Sequence, residues 1–181
     1  MQNIHDDVSK ILFTEEELQD KVKEMGKQIS ETYKDEKLIV VGILKGASIF
    51  MSDLIRAIDT KIKIDFMVVS SYGNATETSG VVRILKDLES DIEGYNVLLV
   101  EDIIDTGTTL SYLKSYLYHR NAKSVRICTL LNKPSRREKA VEIDFQGFEV
   151  PDEFIVGYGI DYAEDYRNLP YIGALKREIY S

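Results

Sequence analysis

The sequence predicts an α/β domain built on a central parallel sheet with helices on its faces. Three observations predict it. Apolar runs such as 38–44 and 96–102 are continuous rather than alternating, the pattern of strands buried on both sides. Segments of helical spacing separate those runs, and strand–helix alternation implies a doubly wound sheet. The 181 residues, 44% hydrophobic, suit one folded domain with a single substantial core.

The elements follow in order. Thr14-Glu15-Glu16-Glu17 reads as a capping box, with Thr14 as cap and Glu17 reaching back. Leu18, Val22, Met25, Ile29 and Tyr33 then recur at helical spacing, predicting a helix over about 15–33. LIVVGIL (38–44) is a buried strand, followed by Lys45-Gly46-Ala47-Ser48 and a helical pattern in IFMSDLIRAI. KIDFMVVSS (63–71) is a second strand. SYGNATETSG (71–80) is polar, holds Gly73 and Gly80, and predicts a mobile loop. VVRILKDL (81–88) is a strand returning from it, and NVLLVED (96–102) is another buried strand. LSYLKSYLYHR (110–120) is a helix, SVRICTLLNK (124–133) a further strand, and FIVGYG (154–159) the last. Ligands of such sheets bind beyond the carboxyl ends of strands. The ends of 38–44, 63–71, 96–102 and 124–133 all carry polar or glycine-rich residues, so one site is expected to gather them.

The net charge of −8 weighs against general nucleic-acid binding, which needs a basic footprint. The single cysteine, Cys128, lies in an apolar run and reads as an inert core residue. No apolar run approaches the ~20 residues of a membrane span, and MQNIHDDVSK holds no apolar signal core. The expectation is a cytoplasmic protein without a membrane partner.

VLLVEDIIDTGTTL (97–110) carries the chemistry. Asp105-Thr106-Gly107-Thr108-Thr109 lies between a buried strand and a helix, where free N–H groups and hydroxyls suit a phosphate monoester, and Gly107 permits close approach. Capping alone explains one polar residue there, not five. Glu101 and Asp102 are adjacent, so on a strand they point to opposite faces. No GxxxxGK[ST] loop is present. Taken alone, Lys45, Lys133, Asp161 and Arg167 each read equally as surface charges, Ser70-Ser71-Tyr72-Gly73 as a surface loop, and Phe154 as a core strand residue.

VEDIIDTGTTL, with two acids and then D-T-G-x-T, resembles the phosphoribosyl-diphosphate motif of the type I phosphoribosyltransferases. From about residue 10 onward the chain resembles the bacterial hypoxanthine-guanine branch of that family. The resemblance implies its fold: a central parallel sheet flanked by helices, with a small hood over the C-terminal strand ends. The hood would be formed by the N-terminal segment and by 133–181, in one domain spanning 1–181, and 71–80 would be a lid.

The implied activity is transfer of 5-phosphoribosyl from phosphoribosyl diphosphate to hypoxanthine or guanine, giving IMP or GMP and diphosphate, with Mg2+ as cofactor. By the same resemblance, the 105–109 loop, Asp105 with Thr106, Gly107, Thr108 and Thr109, holds the 5′-phosphate, and Asp105 is also the general base near N7 of the purine. Glu101 and Asp102 lie at the ribose hydroxyls and the magnesium-bound sugar. Lys45 and Gly46 form the diphosphate loop, often with a cis peptide before the lysine. Ser71 and Tyr72 close over the diphosphate. Lys133 donates to the 6-oxo group, Phe154 stacks on the base and the Ile155 backbone reads its edge. Asp161 binds a second magnesium, and Arg167 binds the diphosphate. Thr108 stands where some relatives carry a lysine, and His5 and His119 match no motif. The resemblance also implies a homodimer or homotetramer, for which the tyrosines of 110–120 would supply interface rings.

Overall fold

Successive residues of a strand face opposite sides of a sheet, and in the central strands both sides are apolar. The computed structural model describes residues 3–72 and 81–181, with only the backbone at Ser71, Tyr72 and Val81. Its elements in chain order are β1 (Val8–Phe13), α1 (Glu15–Thr32), β2 (Leu38–Leu44), α2 (Ser48–Ala57), β3 (Ile62–Tyr72), β4 (Val81–Lys86), β5 (Asn96–Ile104), α3 (Thr108–His119), β6 (Ser124–Asn132), β7 (Phe145–Glu149), β8 (Ile155–Val156), β9 (Ile172–Leu175) and α4 (Arg177–Tyr180).

Leu38 and Val40 of β2 face a core shared with Leu18, Val22, Met25 and Ile29 of α1 and Phe50, Met51 and Leu54 of α2. Ile39, Val41 and Ile43 face the other core, with Leu110, Leu113 and Leu117 of α3. Cys128 is fully buried in the first core, and burial pushes its thiol far above the usual range, so it is inert. The capping box forms as read: Thr14 accepts from the Glu17 N–H, and Glu17 accepts from the Thr14 N–H at 2.8 Å.

Six strands make the main sheet, in the order β4-β3-β2-β5-β6-β7. All neighbours are parallel except β4, which runs antiparallel to β3 at the edge. The order reverses between β2 and β5, so their carboxyl ends flank a switch-point crevice. A second sheet, β1-β9-β8, is antiparallel and packs Val156, Leu169 and Leu175 together.

Two expectations change. FIVGYG is not the last strand of the central sheet. Only Ile155 and Val156 are extended, they belong to the second sheet, and residues 157–159 take positive φ, which ends the strand. The strands β1, β7 and β9 carry no clear alternation and were not expected. No helix of the described residues is long and apolar enough to cross a membrane. The expected lid at 71–80 lies outside the described residues, apart from the backbone of Ser71 and Tyr72 at the end of β3.

Candidate active site

At the end of β2 the chain turns through Lys45 and Gly46, and the Leu44–Lys45 peptide is cis. Gly46 sits directly against the Asp102 carboxylate. Any Cβ there would overlap Asp102 Oδ2, so only glycine lets the two strand ends meet this closely. Lys45 Nζ pairs with Glu164 at 2.8 Å.

β5 ends in the acids. Asp102 is buried and its Oδ1 accepts from the Ile103 N–H at 2.7 Å. Glu101, half-buried, faces a small cavity of about 120 Å³ shared with Thr106, Gly107 and Thr109. Burial first, and then the Asp102 charge, hold the Glu101 carboxyl well above the usual range. Burial also raises Asp102, against hydrogen bonding from Glu101 and the attraction of Arg167.

The 105–109 turn is a cradle rather than a capped helix start. Gly107 takes φ 81° as the N-cap of α3 and supplies no side-chain cap. A Cβ on Gly107 would lie 2.6 Å from the Lys139 carbonyl, because residues 137–141 pack behind it. Lys139 and Glu138 each donate their N–H to the Thr106 carbonyl at 3.0 Å, and Arg137 Nε donates to the Asp105 carbonyl at 3.0 Å. The cradle is therefore held from behind while its open side faces the cavity. Thr106 Oγ1 accepts from the Thr108 N–H at 3.3 Å, and Thr108 is not among the cavity-lining residues.

Asp105 does not cap α3. Its Oδ1 is buried and has no hydrogen-bond partner, while Oδ2 lies 3.9 Å from Arg136. Asp105 and Ile103 line both the small cavity and a larger one of about 360 Å³. The larger cavity also takes in Lys133, Arg136, Asp152, Phe154, Ile155 and Ile160. Lys133 is only 7% exposed. Its ammonium donates to the Glu153 carbonyl at 2.8 Å and lies 3.5 Å from Asp152. Phe154, at 39% exposure, is not a core residue and presents its ring to this cavity. The lining is mixed: Ile103, Phe154, Ile155, Ile160 and Tyr180 give it apolar and aromatic surface, and Asp105, Lys133, Arg136, Asp152 and Glu153 are charged, which suits a flat heterocycle that accepts at one edge and gives up a proton at another.

Arg167 donates to the Gly159 carbonyl at 2.8 Å and pairs with Asp161 at 3.0 Å, and its Nε is buried without a partner. Asp161 also accepts from the Glu164 N–H at 2.9 Å. Among the described residues no three acids, histidines or cysteines converge as a metal site. Glu101 and Asp102 still fit Mg2+, which characteristically takes one or two carboxylates and completes its shell with water and substrate oxygens. Burial disfavours the charged form of both carboxyls, a cost that a bound cation would offset.

Sequence reasoning placed Lys45, Gly46, Glu101, Asp102, Asp105–Thr109, Lys133, Phe154, Ile155, Asp161 and Arg167 around this crevice. The side chains of Ser71 and Tyr72 lie outside the described residues. It missed Arg136, Arg137, Asp152 and Ile103. The basic run Lys133-Pro134-Ser135-Arg136-Arg137 directly after a strand end was the available signal.

Residues 9–163 match the family model described as "Phosphoribosyl transferase domain". The chain is 56% identical to the hypoxanthine-guanine phosphoribosyltransferase of Bacillus subtilis (strain 168) over 96% of its own length and 97% of that protein's. It superposes on a hypoxanthine phosphoribosyltransferase structure from Staphylococcus aureus with a TM-score of 0.96 and 52% identity, covering 100% of this chain and 99% of that one. It is also 56% identical to the bifunctional protein TilS/HprT of Listeria innocua, over 99% of this chain, and spans 28% of that longer protein.

Proposed function

The chain belongs to the phosphoribosyl transferase domain family, and from that premise we propose that it salvages 6-oxopurines. It transfers 5-phosphoribosyl from phosphoribosyl diphosphate to hypoxanthine or guanine, releasing diphosphate and giving IMP or GMP. The observation that carries this reading is the pair of cavities joined at Asp105. The smaller is lined by the 105–109 turn, and the larger combines Phe154 and Tyr180 with a buried ammonium, Lys133.

The 5′-phosphate occupies the cradle at 105–109, where backbone N–H groups at the start of α3 favour an anion. Lys45, Gly46 and Arg167 take the diphosphate. That places C1 of the ribose between the two anion subsites and below the base pocket. The C1–diphosphate bond breaks, C1 gains bonding to the purine nitrogen, and configuration at C1 inverts. Positive charge develops on the sugar as the bond lengthens, and Glu101 and Asp102 stabilise it more in the transition state than in the ground state. The orphaned Oδ1 of Asp105 takes the proton that the purine sheds at N7. Lys133 donates to the 6-oxo oxygen, which adenine lacks, while Phe154 stacks on the ring and the Ile155 backbone reads its edge. Glu101 and Asp102 would hold one Mg2+ and Asp161 a second, and the metal would supply charge that offsets the diphosphate as it leaves.

The domain is single over 1–181, with the sheet β1-β9-β8 serving as the hood. The protein acts in the cytoplasm as a homodimer or homotetramer, with the exposed Tyr112 and Tyr118 of α3 as interface rings. The deciding assay offers hypoxanthine, guanine, xanthine, adenine and uracil, each with phosphoribosyl diphosphate and Mg2+, and follows absorbance. Turnover confined to hypoxanthine and guanine supports the reading, and turnover of none overturns it.

A further inference from the structure

Phe154 precedes β8 and is held from the far end of the chain. Its carbonyl accepts from the Leu175 N–H at 2.9 Å, which ties it to the end of β9. The chain then turns through α4, where the Lys176 N–H donates to the Asp7 carbonyl at 2.9 Å and the Ile179 N–H to the Lys176 carbonyl at 3.0 Å. Ile179 packs on the cluster of Val156, Leu169 and Leu175. So anchored, the turn lays the Tyr180 ring on Phe154 at a centroid separation of 4.7 Å and 25° between planes. Tyr162 meets Phe154 edge-on at 5.1 Å and 88°. Tyr180 itself lines the larger cavity.

An exposed phenylalanine at the mouth of a pocket has a ring free to turn about its side-chain torsions. A stacked partner removes that freedom before a ligand arrives, so the ligand need not supply the ordering. We propose that Tyr180 is a positioning residue for the purine: it fixes the plane of Phe154 and extends the aromatic wall against which the base lies. This rests on the purine reading of the site given above. The tyrosine hydroxyl has no hydrogen bond to a described residue that would assign it a separate task, so the flat ring is what matters.

The test compares wild type with Tyr180→Ala, Tyr180→Leu and Tyr180→Phe. Hypoxanthine is varied at saturating phosphoribosyl diphosphate and Mg2+, and then the diphosphate is varied at saturating hypoxanthine. An aromatic pair of this kind corresponds to roughly a threefold to tenfold change in affinity. Tyr180→Ala and Tyr180→Leu should raise the hypoxanthine KM by that factor, with kcat and the phosphoribosyl-diphosphate KM unchanged, and Tyr180→Phe should behave as wild type. The leucine variant keeps apolar bulk over the Val156 cluster, so it separates the flat ring from simple packing. An unmoved hypoxanthine KM overturns the inference, as does an equal rise in both KM values. A fall in the hypoxanthine KM overturns it too, because the ring would then stand where the base goes. If wild type turns over no purine, the functional reading fails and this inference with it. Turnover by wild type with an unmoved KM in the variants sinks the inference alone.

Discussion

Replacing Lys133 by methionine separates what its ammonium does for the fold from what it does for the base. The side chain is 7% exposed, so Lys133→Met keeps the apolar stem in place and removes the charge. Structurally, the Glu153 carbonyl loses its donor at 2.8 Å, a cost of about 1–3 kcal/mol. Asp152 lies 3.5 Å away with its side chain 53% exposed, so that pair adds under ~1 kcal/mol. Asp152 also keeps Arg136 at 3.1 Å. In a domain of this size each kcal/mol lowers Tm by about 2–4 °C, so the variant should remain folded at room temperature. Functionally, a hydrogen bond from a charged donor to the 6-oxo oxygen contributes about 1.5–3 kcal/mol, or about 10- to 150-fold in kcat/KM. The assay is initial rates with hypoxanthine, guanine and adenine at saturating phosphoribosyl diphosphate and Mg2+, alongside thermal unfolding. Hypoxanthine and guanine should fall by that factor while any adenine turnover does not. A common factor across all three bases would refute the reasoning and leave Lys133 as a strut for Glu153.

Other changes probe the remaining corners of the crevice. Asp105→Asn should unfold at the wild-type temperature, since Asp105 caps nothing, and should lose about 10²–10⁴-fold in kcat as a general base does; near-full activity would end that assignment. Gly46→Ala places a Cβ on the Asp102 carboxylate and shifts the diphosphate loop, so turnover should drop about 100-fold with an unchanged circular dichroism spectrum. Glu101→Gln should raise Tm near neutral pH in metal-free buffer and lower turnover. The sign follows from the raised pKa. The folded state binds more protons than the unfolded one, so wild-type stability is fullest below the ordinary carboxylate range and is lost as pH rises through the folded pKa. Tm of the variant should fall less steeply over that window, and an unchanged slope in a melting series refutes it.

The fold was legible where local pattern and tertiary environment agree. The β2 and β5 runs are apolar at nearly every position because both faces are covered, and the α1 capping box is complete within four residues. What was not legible depends on distant partners. β1 is VSKILF, mostly exposed or half-exposed, and becomes a strand because β9 pairs with it from the other end of the chain. β9 is four residues long, too short for any period to show. FIVGYG looks like a strand because its residues are apolar, but positive φ at 157–159 is a backbone property that hydrophobicity does not report.

The site divides the same way, and the division explains why acids stand beside a phosphate cradle. The cradle and both acids lie in one contiguous stretch and could be read directly. How their charges are neutralised could not. The cations Lys45 and Arg167 pair with Glu164 and Asp161, on a segment far along the chain, rather than with Glu101 and Asp102. The ion pairs of those cations thus run to the 161–164 segment, although Arg167 still attracts Asp102. Burial raises both acids, the Asp102 charge raises Glu101 further, and hydrogen bonding with Glu101 and the attraction of Arg167 pull Asp102 back down. Strand alternation gives them different faces, Asp102 against Gly46 and Glu101 toward the phosphate cavity. On the proposed reaction, a sugar that turns cationic as its bond to diphosphate lengthens would relieve the cost of burying them most at the transition state, so the burial that disfavours these charges in the free fold would favour the reaction.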